Sequence, residues 1–209
     1  MIKVLTVCHD LKYAQPLIRS LVKHGWDYVA IETEWKGFGT KVIETYKYLK
    51  AHPEVTEFVF CDAFDVIVLG GEVEFKEKLS DVNMLVSAER GLWPPILQPF
   101  RSVYCQYEHG FNFPNSGCYY AKSAYFISLF ETYQPFYEID DQFWVNVCFN
   151  LEKDDIHLDY GQTIFNSHSF ISDNEYGYSN NRIQILGNDP IFIHSNARTV
   201  DENLNNLLI

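Results

Sequence analysis

Two aspartates, Asp62 and Asp65, interrupt the apolar run "FVFCDAFDVIVLG" at residues 58–70. A lone charge in such a setting is costly unless it is paired, protonated or bound to a metal. Asp62 follows the β-branched and aromatic run "EFVFC", and ligands of parallel α/β sheets collect outside the carboxyl ends of strands. The D-x-x-D spacing across a turn lets both carboxylates converge on one point. Oxygen donors of this kind suit Mg²⁺ or Mn²⁺, usually shared with phosphate oxygens of a substrate. An Asp capping a turn beside an Asp facing water is the plain alternative, and spacing alone leaves both open. A second short apolar strand, "PIFIH", ends in His194, with Ser195 and Asn196 after it. A His in that position commonly serves as a structural hydrogen-bonding group. Joined to the acidic pair it would complete an Asp/Asp/His site, and the imidazole would favour Mn²⁺ over Mg²⁺.

Three further stretches carry polar chemistry. In "KGFGTK", Gly37 and Gly39 permit close backbone approach, while Thr40 and Lys41 open a helix whose N-terminus attracts anions. The P-loop spacing is absent, and on this stretch alone an ordinary loop with a surface lysine is the better reading. In "DDQ", Asp140 reads as a helix N-cap, and Asp141 and Gln142 could hydrogen-bond the hydroxyls of a sugar. Trp93, in "LWPP", could floor a sugar pocket or cover the core. No Ser-His-Asp arrangement is present and no cysteine has an activating partner in sequence, so a nucleophilic hydrolase is poorly supported.

The elements that must hold these residues follow a regular order in the first half. "IKVLTVC", "DYVAIE", "EFVFC" and "NMLVSAE" read as strands. "PLIRSLVKHG" places Leu17, Ile18, Leu21 and Val22 at helical spacing, and the helix after "KGFGT" does the same with Val42, Ile43, Tyr46 and Leu49. This βαβαβ rhythm predicts an α/β fold with a Rossmann-like, mostly parallel central sheet flanked by helices. In the second half "GLWPPILQPF" and "YEHGFNFPNSG" read as loops, "GCYYAKS" as a strand, and "AYFISLFETY" and "DDQFWVNVCFNL" as helices. Short strands follow at "IHLDY", "RIQIL" and "PIFIHS", and the tail "TVDENLNNLLI" is expected to form an amphipathic turn or helix. No repeat, linker or composition break divides the chain, so residues 1–209 are expected to form one domain.

Composition narrows the partners. A chain that is 47% hydrophobic and 21% charged is not disordered. Its net charge of −12 makes it a poor non-specific partner for nucleic acid or anionic membrane. No apolar run approaches the roughly 20 residues of a membrane span, and "MIKVLTVCHD" lacks the cleavage site of a signal peptide. Five scattered cysteines (Cys8, Cys61, Cys105, Cys118, Cys148) fit buried, reduced thiols in a cytoplasmic protein.

The blocks "GFGTKVIETYKYLK", "FVFCDAFDVIVLG", "LVSAERGLWP", "FPNSGCYYA", "DDQFWVNVCFN", "HLDYGQTIFN" and "PIFIHSNA" occur in that order. Together they resemble the glycosyltransferase domain of procollagen lysyl hydroxylases and its relatives, the procollagen galactosyltransferases among them, over roughly residues 2 to 197. The resemblance implies a GT-A fold and transfer of a sugar from a UDP-sugar with Mn²⁺ on the diphosphate. Asp62 and Asp65 match the family's metal-binding acids, and His194 matches the third protein ligand. Phe64 stands where the family has an aromatic, usually Tyr, against the uracil, so stacking survives and a hydroxyl contact is lost. Lys41 matches the lysine that faces the nucleotide. Trp93, Asn115, Asp140, Asp141, Gln142 and Asn196 match positions around the donor sugar and the acceptor. The glycine run is shortened to "GFGT", the acidic run to "IDDQ", and "HSNA" replaces the usual "HGNG".

The resemblance therefore implies an Mn²⁺-dependent hexosyltransferase, with Mg²⁺ as the substitute ion and glucose or galactose as the sugar. Retention is expected, with Asp140 or Asp141 orienting hydroxyls, or one of them acting as base if the reaction inverts. The acceptor is a hydroxyl on hydroxylysine, a glycan or a modified base. A small, stand-alone version points to a microbial or viral enzyme of the cytoplasm, the host's if viral. A UDP-sugar-binding module without turnover is the rival favoured by the reduced acidic run. A metal-dependent phosphoesterase is opposed by the block order.

Overall fold

The structure, a computed structural model, describes residues 1–104, 110–168, 171, 175–179 and 182–196. Cys105 and the tail helix expected over 199–209 lie outside the described residues.

Six strands form the central sheet. β1 (Lys3–Cys8), β2 (Asp27–Glu32) and β3 (Glu57–Cys61) are separated by α1 (Gln15–Lys23) and α2 (Gly39–Ala51). β4 (Val66–Val68) and α3 (Glu72–Lys78) precede β5 (Met84–Glu89), and a 3₁₀ segment, Pro95–Val103, leads to β6 (Phe113–Lys122). Then come α4 (Ser123–Thr132), α5 (Asp141–Leu151) and β7 (Ile156–Asp159). The sheet order is β2-β1-β3-β6-β5-β7. β1 runs parallel to β2 and β3, and β5 parallel to β7, whereas β6 is antiparallel to both of its neighbours. The mostly parallel sheet predicted from the alternation is present, with one reversed strand at its centre.

The inner strands β1, β3, β6 and β5 are buried on both faces, which is why their sequences are continuous apolar runs rather than alternating ones. Phe58 and Phe60 of β3 enter a core with Val42 and Leu49 of α2, Phe126 of α4 and Trp144 of α5. Val59 and Cys61 point the other way, into a core with Leu17 and Leu21 of α1 and Phe75 of α3. The four described cysteines are free and buried.

Local expectations fail at several places. "FPNSG" belongs to β6 instead of a loop. Pro114 is accommodated because β3 has ended opposite Cys118, so that β6 is paired with β5 alone at Pro114. "PILQPFRSV" winds into the 3₁₀ segment. α3 was not foreseen, although its Glu72–Lys76 and Glu74–Lys78 pairs have the i,i+4 spacing of an exposed helix. Finally, "FVFCDAFDVIVLG" is two strands in two sheets. β4 leaves the central sheet and joins β11 (Phe192–His194) and β8 (Phe165–Ser167), in the order β4-β11-β8. β9 (Tyr176–Ser179) and β10 (Arg182–Ile185) form a separate hairpin.

Candidate active site

The break between β3 and β4 places the acids. Asp62 follows the carboxyl end of β3 and is tied to β6 by its backbone N–H, which donates to Gly117 O at 2.8 Å. β4 then pairs antiparallel with β11, with Val66 opposite His194. That register sets Asp65 beside Ser195, whose N–H donates to Asp65 O at 2.8 Å. Ligand atoms of Asp62, Asp65 and His194 consequently lie within 4.8 Å of one another. His194 Nε2 is 3.2 Å from Asp65 Oδ2 and 3.7 Å from Asp62 Oδ2. Burial disfavours the imidazolium, but Asp65 and Asp62 outweigh it and raise the His194 pKa. One imidazole and two carboxylates at this separation could hold a divalent cation.

Lys41 reaches the same cluster from α2. Its Nζ lies 2.7 Å from Asp62 Oδ1 and 2.7 Å from Asp141 Oδ2, with only 7% of the residue exposed. Burial works against the ammonium, yet Asp141 and Asp62 more than compensate, so its pKa is raised and it stays charged. Asp62 thus gives one oxygen to Lys41 and turns the other toward His194. The phosphate cradle expected of "KGFGTK" is not seen. A Cβ on Gly37 would lie 2.3 Å from Tyr137 O, and one on Gly39 2.1 Å from Phe136 O. The glycines admit the segment before α5, and the first amides of α2 are already bonded, Gly39 N to Tyr137 O at 3.0 Å, Thr40 N to Gly37 O at 3.0 Å and Lys41 N to Phe38 O at 3.2 Å. This close approach is what brings Asp141 to Lys41.

Asn115, Gln142 and Asn196 were expected to face the sugar. The first two are buried and bonded within the protein. Asn115 Nδ2 donates to Gln142 Oε1 at 3.3 Å, and Gln142 Nε2 donates to Glu89 Oε1. Asn196 Nδ2 donates to Glu89 Oε2 at 3.0 Å, and Asn196 Oδ1 accepts from Ser167 Oγ at 2.8 Å. Glu89, at the carboxyl end of β5, is the hub of this network and was missed in the sequence. The signal was the one that marked Asp62, an acid closing an apolar strand. Burial pushes the Glu89 carboxyl up to about 7, against the opposing pull of Gln142, Asn115 and Asn196.

A folded-state pKa above the unfolded one means that the stabilisation is complete below about 4.5 and is lost as pH rises through about 7. In metal-free protein, Glu89→Gln removes that titration. Urea unfolding at pH 5 and pH 8 is expected to shift the stability difference in favour of the variant by up to about 3 kcal/mol. An unchanged difference between the two pH values would show that Glu89 ionises normally.

The remaining candidates form an exposed rim. Phe64, 37% exposed, makes edge contacts with His9 at 5.3 Å and Tyr13 at 5.8 Å. Trp93, 53% exposed, donates its indole N–H to Asp140 Oδ2 at 3.1 Å. Asp140 Oδ1 caps α5 by accepting from Phe143 N at 3.0 Å, as its position before the helix predicted. The two acids named as catalytic candidates are therefore differently employed: Asp140 caps a helix at the rim, and Asp141 is ion-paired inside.

The family model for the PLOD GT domain matches residues 23–208. The chain belongs to this family. As a member of the PLOD GT domain family it is a glycosyltransferase, which acts between a sugar donor and an acceptor. Among curated sequences none matches it. Its fold is GT-A and is shared with distant glycosyltransferases of known structure. One is a glycosyltransferase involved in the glycosylation of the major capsid of PBCV-1, with a TM-score of 0.60 and 13% identity, covering 99% of this chain and 98% of that one. Another is the bifunctional glycosyltransferase WbbM, with a TM-score of 0.58 and 11% identity, covering 95% of this chain and 46% of WbbM. Among the described residues no helix is long and apolar enough to cross a membrane.

Proposed function

We propose that this PLOD GT domain protein moves a hexose, glucose or galactose, from a UDP-sugar to a hydroxyl acceptor with retention, using Mn²⁺ held by Asp62, Asp65 and His194. The observation that carries the reading is the convergence of one imidazole and two carboxylates at the carboxyl end of β3. A divalent ion bound there supplies positive charge against the departing diphosphate. Lys41 fixes Asp62 and adds positive charge beside it. Phe64, with His9 and Tyr13 behind it, offers an exposed ring on which the uracil stacks. Trp93 and Asp140 line the rim where sugar and acceptor hydroxyls are oriented. Asp141 is buried and occupied by its ion pair with Lys41, and this favours proton transfer to the leaving phosphate over an inverting route. The same pairing is the feature that favours a binding module without turnover. The acceptor is a hydroxyl of a protein, a glycan or a modified base. The reading also takes residues 1–209 as one domain working in the cytoplasm, in keeping with its buried thiols.

The test is a panel of UDP-glucose, UDP-galactose and other UDP-sugars, with and without Mn²⁺, followed by thermal shift and UDP release. Mn²⁺-dependent binding of one or more donors and release of UDP are expected, and Asp65→Ala is expected to abolish both while leaving the fold intact. Turnover that survives this substitution would overturn the metal assignment. Binding without release, even with acceptor extracts, would favour the inert module.

A further inference from the structure

The polarity of the amide chain behind His194 is fixed by the backbone. Asn115 Oδ1 lies 3.0 Å from Gly117 N and 2.9 Å from His194 Nδ1. A backbone N–H only donates, so the Asn115 atom facing it is the carbonyl oxygen. That oxygen can meet Nδ1 favourably only if Nδ1 carries a hydrogen. The other end of the same amide must then donate, and it faces Gln142 Oε1 at 3.3 Å. Gln142 Nε2 in turn faces Glu89 Oε1, an acceptor. Every amide in the chain is thus oriented in one sense, from the Gly117 N–H to the Glu89 carboxylate, with no member able to turn alone. Asn115 and Gln142 are 3% and 8% exposed, which keeps water from substituting for either bond.

We propose that Asn115 is the positioning residue of His194: it holds the imidazole with its hydrogen on Nδ1 and presents the Nε2 lone pair to Asp62 and Asp65. This rests on the metal reading above. Three acceptors (Nε2, Asp62 Oδ2 and Asp65 Oδ2) then face one point, an arrangement that attracts a positive charge between them. A metal ligand of this kind gains orientation and basicity from the partner on its other nitrogen, a contribution of about 10–100-fold in metal affinity. Asn115 thereby acts through His194 and not by touching the sugar.

The experiment reads the tautomer and the affinity separately. Metal-free protein with ¹⁵N-labelled histidine, studied by long-range ¹H–¹⁵N correlation at alkaline pH, is expected to show His194 as the Nδ1–H tautomer, assigned by comparison with His194→Gln. Mn²⁺ titration followed by electron paramagnetic resonance should show about 10–100-fold weaker binding for Asn115→Ala. Asn115→Asp keeps an acceptor for both Nδ1 and Gly117 N, and is expected to retain the tautomer and bind Mn²⁺ more tightly than Asn115→Ala. A purely structural role predicts the reverse order, because the aspartate buries a charge. An Nε2–H tautomer in the wild type, an unchanged affinity in Asn115→Ala, or an aspartate variant no better than alanine would each overturn the proposal. If Asn115→Ala fails to fold, the wild-type tautomer and the tautomer kept by Asn115→Asp still decide. Failure of wild-type protein to bind Mn²⁺ would sink the metal reading, and the tautomer of the metal-free protein would then decide this proposal alone.

Discussion

Gly117→Ala is expected to weaken Mn²⁺ binding by at least about 100-fold and to destabilise the fold by about 1–3 kcal/mol. A Cβ built on Gly117 would sit 2.1 Å from His194 Cε1, 2.3 Å from Nδ1 and 2.8 Å from Nε2. Those atoms belong to a buried, planar ring held by Asn115, so it cannot move aside as a flexible chain end would. Gly117 does not adopt a positive φ, so the penalty comes from the clash and not from the backbone. A double-mutant cycle separates the two: in a His194→Ala background the stability cost of Gly117→Ala should nearly vanish. Equal costs in both backgrounds, read by urea unfolding, would refute the steric account.

Lys41→Met is expected to cost about 3–5 kcal/mol of stability at neutral pH, because it leaves two carboxylates without their shared cation. Asp141 is only 5% exposed and loses its ion-pair partner outright, while Asp62 retains His194 nearby. Adding Asp141→Asn should recover much of the loss, and Mn²⁺ should restore part of it by supplying charge at Asp62. Chemical denaturation of the single and double variants, with and without Mn²⁺, measures all of these. If Lys41 served only to face a nucleotide, the single variant would be nearly as stable as the wild type and would fail only in donor binding.

Much of the site was readable because its residues close apolar strands. Asp62 after "EFVFC" and His194 after "PIFI" lie at strand ends, and Asp140 caps the helix that the acids and following apolar residues announce. Other residues make contacts that the local sequence does not mark. Asn115 and Gln142 read as sugar contacts, because a polar side chain near a site carries no mark of the direction in which it points. In the structure they face each other, Glu89 and His194. The glycines of "KGFGTK" were legible as points of close approach, yet the group that approaches them is the backbone of residues 136–138.

The sequence by itself determined the alternation of strands and helices in the first half and the residue types of the cluster, two carboxylates and an imidazole. Burial periodicity and donor type are local properties, expressed within a few residues. Only the tertiary structure decided that β4 leaves the central sheet, that β11 pairs with it in a register setting His194 opposite Val66, and that Lys41 lies between Asp62 and Asp141. His194 and Asp65 are 129 positions apart, and their 3.2 Å separation is a consequence of strand register. Shifting that register by one residue would turn His194 to the opposite face of its sheet and separate it from the two acids.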